Sequence, residues 1–106
     1  MAFTLKTHNA FEMTHRYATC EIKATRPGHR AFVGVYPPLL EKNINQWRIK
    51  KFEIPEGLVH KSPYDGDLVD LEFIHADTLE EVEQVLASWN VDSSVFDAPW
   101  KSDYPV

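Results

Sequence analysis

The chain has one cysteine, Cys20, in 106 residues. An internal disulfide is therefore excluded, which suits a reducing compartment. No stretch approaches the roughly 20 apolar residues of a membrane span. The opening Met-Ala-Phe-Thr-Leu-Lys-Thr-His lacks the apolar run of a signal peptide. The expected location is the cytoplasm, with no membrane partner. Repeats, low-complexity tracts and linkers are missing, and the length fits one domain, 1–106. An apolar fraction of 43% is enough to build a core without a staple.

Chemical signatures are also scarce. His8, His15, His29, His60 and His75 form no His-x-His or His-x3-His pair that would set two imidazoles on one face. No metal and no cofactor are expected. Asp65-Gly66-Asp67 has the flavour of a calcium loop, but the 12-residue spacing with its terminal Glu is missing, and a β-turn accounts for it. Cys20 sits between Ala18 and Ile22 in an alternating stretch, as a small buried hydrophobe would, with no basic partner identifiable from spacing. The reading is therefore non-catalytic.

Charge of one sign is short in each half. Residues 1–52 carry nine Lys/Arg against three acids, a balance of +6. Residues 53–106 carry two Lys against thirteen acids, a balance of −11. Such polarity can present an acidic face to a basic partner.

The pattern of apolar residues predicts an α+β fold: an antiparallel sheet of four or five strands with one amphipathic helix packed on one face. Ala18, Cys20, Ile22 and Ala24 alternate with polar residues, as in a half-buried strand. Arg26-Pro27-Gly28-His29 reads as a type II turn, with Gly28 at the position that needs φ > 0. Residues 30–36 are apolar on both faces and should be central, with Gly34 allowing a helix or aromatic ring to approach the backbone. Leu40, Ile44 and Trp47 recur at helical spacing and predict a short helix near 38–46. Residues 48–54 read as a strand, and the tract Ser62 to Asp67 as a turn. In the strand from Leu68 to His75, the alternation points Val69, Leu71 and Phe73 to the core and Asp70 and Glu72 outward. The helix over about 78–89 can be capped by Asp77 or Thr78, with Thr78 and Glu81 at capping-box spacing, and has Asn90 as its stop. Its apolar residues Leu79, Val82, Val85, Leu86 and Trp89 span an arc of about 120°. Two prolines predict an extended tail over 97–106.

Candidate binding residues follow from the acidic half: Asp65, Asp67, Asp70 and Glu72, with Asp97 and Asp103 flanking the aromatics Trp100 and Tyr104. Aromatics of this kind anchor interfaces, and Trp100 could instead fold back to close the core. The expected function is stoichiometric binding of a basic protein, in the manner of inhibitors and immunity proteins that neutralise cationic nuclease toxins. The first alternative is a nucleic-acid-binding or regulatory module using Lys23, Arg26, Arg30, Arg48, Lys50 and Lys51. It lacks an aromatic RNA-binding signature, a Gly-rich phosphate loop and a helix-turn-helix pattern. The second is a small enzyme or ligand carrier with a pocket between helix and sheet.

Overall fold

The computed structural model describes residues 2–61 and 63–105, and only the backbone of Asp65. Four strands form one antiparallel meander: β1 (Ala18–Ile22), β2 (His29–Tyr36), β3 (Trp47–Pro55) and β4 (Val69–Ala76), in that spatial order. Two helices, α1 (Leu5–Thr14) and α2 (Leu79–Ser88), lie on one face. The α+β architecture expected from the sequence is present.

Local chemistry explains the elements. The β1–β2 turn closes through the His29 amide donating to the Arg26 carbonyl (3.3 Å), with Gly28 at φ +70. Glu53 secures that turn from β3. Its buried carboxylate accepts from the Thr25 and Arg26 amides and from the Thr25 hydroxyl (2.9, 3.1 and 2.6 Å). Burial pushes the Glu53 carboxyl up, but these hydrogen bonds outweigh it and hold the group below its ordinary range. The Thr78 hydroxyl caps α2 by accepting from the Glu81 amide, and the Glu81 carboxylate accepts from the Asp77 amide. Asn90 ends that helix in the left-handed region. Where a short helix was expected, a 3-10 turn, Leu40–Lys42, forms inside a loop closed by reciprocal backbone bonds between Leu39 and Ile44.

The sheet has an apolar core on each face. On the helix side, Cys20, Val33, Val35, Ile49, Val82 and Leu86 pack together. The N-terminal helix α1 had no counterpart in the sequence reading. It buries only Thr7 and Phe11, so its apolar periodicity is weak. Thr4 caps it, Phe11 meets Phe3 and Trp47 edge-on, and the Thr7 hydroxyl donates to the Phe96 carbonyl (2.9 Å). On the opposite face, Phe32, Phe52, Ile54 and Val59 form the second core, with Tyr104 packed against it.

The expected phase of β4 is wrong. Lys51 pairs with Glu72 and Glu53 with Val69, leaving Asp70 and Leu71 opposite Phe52. This is a β-bulge, with Asp70 at φ 53. The extra residue breaks the period-two rule. Leu71 and Phe73 are 41% and 50% exposed, while Ile74 and Ala76 join the helix-side core. Asp70 and Glu72 therefore do not form a regular acidic strand face. Residues 97–105 also depart from an extended tail. They bend through a 3-10 turn at Pro99–Lys101 and return to the sheet.

Candidate functional site

The tail builds the site. The Thr19 amide donates to the Asp97 carbonyl and the Asp97 amide to the Thr19 carbonyl (2.9 and 3.0 Å), fixing the tail along β1. The Ser102 hydroxyl bonds the Thr19 hydroxyl at 2.8 Å. Beyond it the Tyr104 ring lies over Gly34, and its hydroxyl meets that of Tyr36 at 2.9 Å. Burial drives the Tyr104 hydroxyl well above its ordinary range. Between these anchors the Pro99–Lys101 turn carries Trp100, which is 68% exposed.

Trp100 borders three depressions. The first, of about 370 Å³, runs between α1 and the tail, with apolar walls from Ala10, Met13, Tyr17 and Pro99. Lys6, Arg16 and Asp97 stand at its border, with Lys6 3.3 Å from Asp97. The second, about 420 Å³, is lined by Arg16, Tyr17, Pro99, Trp100 and Tyr104. The third, about 320 Å³, includes His60 and Asp103. Met13, at 77% exposure, adds a second open apolar side chain. Met13 was missed in the sequence because α1 was, and Arg16 and Tyr17, between α1 and β1, carry no motif that marks them as a site.

The other candidate residues do not converge on one acidic surface. Asp70 binds Arg26 (2.9 Å), Glu72 binds Lys51 (3.4 Å), and Asp103 binds Arg30 (3.3 Å). Arg30 also holds Glu21 at 2.7 Å, and its hydrogen bond keeps that carboxyl below the usual range. The Asp97 carboxylate accepts from the Ala98 amide, which with the neighbouring Lys6 lowers its pKa. Asp67 accepts from the Tyr64 amide, and the side chain of Asp65 lies outside the described residues, as does Ser62 of the preceding turn tract. Tyr104 faces inward, so its ring is committed to the chain's own core. Cations of the basic half thus pair with Asp70, Glu72, Asp97 and Asp103, the acids on which the expected surface rested. Glu80 and Glu83 on the outer side of α2 form no ion pair among the described residues.

Cys20 is buried on the helix-side core, and burial pushes its thiol up to about 12, so it stays protonated at neutral pH. Among the described residues no group of three or more His, Cys, Asp or Glu could hold a metal. No described helix is long and apolar enough to cross a membrane. No family model, curated protein or solved structure matches the chain.

Proposed function

We propose that the protein is a non-catalytic binding domain that holds one protein partner through the Trp100 surface, as an inhibitor or immunity protein of a basic toxin would. The observation that carries this reading is a tryptophan 68% exposed on a tail anchored before it at Asp97 and after it at Ser102 and Tyr104. A backbone held this way loses little conformational freedom on binding, and buried aromatics at interface centres commonly contribute 2 kcal/mol or more. Apolar depressions flank it, so a partner side chain would seat beside the ring. The unpaired glutamates of α2 supply the attraction for a basic partner, in place of Asp70, Glu72, Asp97 and Asp103. The nucleic-acid alternative is weakened, because Arg26, Arg30 and Lys51 are engaged in ion pairs.

The test compares wild type with Trp100→Ala and with the Glu80→Lys, Glu83→Lys double variant. A partner identified by affinity capture is titrated by calorimetry and stopped flow. Expected results are one-to-one stoichiometry, roughly 30-fold weaker binding for Trp100→Ala, and slower, less salt-sensitive association for the double variant. Equal affinity for wild type and Trp100→Ala would sink the proposal.

A further inference from the structure

The two edges of the sheet are treated differently. The β1 edge is bridged by the tail at Thr19, through the reciprocal Thr19–Asp97 bonds. The β4 edge is open: among the described residues, backbone bonds reach it only from β3. Open edges are normally blunted by lysine, proline, a bulge or a covering segment. β4 has neither lysine nor proline, and its bulge at Asp70 protects only its beginning. Residues 72–76 run on as a regular ladder beside β3. On the face away from the helices, this strand shows Leu71 and Phe73 at 41% and 50% exposure, with His75 edge-on to Phe73 at 5.2 Å. These are large apolar groups beside unpaired backbone donors and acceptors.

The geometry points to β4 as the seam of a symmetric dimer, in which a second copy adds its own β4 antiparallel with Phe73 opposite Phe73. In that register Leu71 of each copy meets His75 of the other, so the strand is complementary to itself. Opposed residues in an antiparallel ladder share a face, which brings the exposed apolar groups of both copies together. The acids near the seam are already answered within each chain, Asp70 by Arg26 and Glu72 by Lys51, which limits repulsion between copies. Because the two-fold pairing uses the same edge of both chains, it closes at two copies. A one-strand seam lies at the small end of interfaces, so the dissociation constant falls in the micromolar range or weaker. This inference does not depend on the Trp100 surface.

Sedimentation velocity on the full chain, from about 1 µM to about 500 µM, tests it. Wild type should shift from monomer to dimer. Phe73→Lys should remain monomeric throughout with an unchanged circular-dichroism spectrum, because the ring is half-exposed. Leu71→Lys should weaken the dimer at least tenfold and serves if Phe73→Lys misfolds. Trp100→Ala should dimerise as wild type does. Hydrogen exchange should slow with concentration at the β4 amides. A wild type monomeric over the whole range overturns the inference. So does a dimer that survives Phe73→Lys or is lost in Trp100→Ala. Protection of β4 only when a separate partner protein is bound would assign the edge to that partner and equally overturn it.

Discussion

Adding one methyl group at Gly34 should release the C-terminal tail while leaving the sheet folded. A Cβ at this position would stand 2.5 Å from the Tyr104 hydroxyl oxygen and 3.0 Å from Tyr36 Cε1. Ordinary contact begins near 3.4 Å, so the Tyr104 hydroxyl must retreat by about 0.9 Å. Overpacking of this kind costs about 1–3 kcal/mol, and losing the Tyr36–Tyr104 hydrogen bond adds about 1 kcal/mol. The total, about 2–4 kcal/mol, has a ceiling. Once the strain exceeds the worth of tail docking, the tail leaves and the strain disappears. Gly34→Ala should therefore cost no more than Tyr104→Ala, and under about 1 kcal/mol when Tyr104 is already Ala. Urea denaturation of the four species gives the cycle, and tryptic cleavage after Lys101 reports tail release. If Gly34→Ala costs the same in both backgrounds, its effect lies in the sheet and the account of the tail is wrong.

Other expectations follow from the packing and the charges. Leu86→Asp buries a charge in the helix-side core and should cost several kcal/mol, whereas Glu83→Ala should be nearly silent in thermal melts. Glu53→Ala strands two amides and a hydroxyl and should cost at least about 2 kcal/mol in urea denaturation. Because the folded carboxyl of Glu53 is held below its unfolded value, its contribution is present above roughly pH 4.3 and fades as pH falls through the folded value. Glu53→Gln should flatten that acid limb of the stability curve. Trp100→Ala should leave the melting temperature within the small range of surface substitutions, since its ring is mostly in water.

The helix α2 and the β1–β2 hairpin were legible because each carries its own local instructions. Thr78, Glu81 and Asn90 mark the helix ends, and Gly28 marks the turn. β4 was misread because alternation assumes an unbroken pleat, and no residue in Val69–Phe73 announces the bulge at Asp70. α1 escaped notice because Phe11 is its sole buried large side chain, and the aromatic cluster that holds it comes from Phe3, Trp47 and Phe96. For the site, the tail aromatics were recognised as a pair, but one faces out and the other in. Gly34 foretold that something would lie close to the strand; only the folded path shows it to be Tyr104. The acidic surface was overdrawn for a related reason. Composition counts charges along the chain, whereas the ion pairs depend on which residues the topology brings together.

Those ion pairs also shape the chain before it folds. Cations of the first half meet acids of the second across long separations, 44 residues for Arg26 with Asp70 and 73 for Arg30 with Asp103. Each pair is partly exposed and contributes little to the finished structure. In the denatured ensemble, however, a block of net positive charge is tethered to a block of net negative charge. The two blocks attract before any strand has formed, so the unfolded polymer is drawn together end over end and becomes more compact at low ionic strength. Added salt screens that attraction and lets the coil swell. What sequence composition presents as a dipole thus acts as a loose electrostatic hinge, biasing the random coil toward the long-range juxtapositions of the native topology.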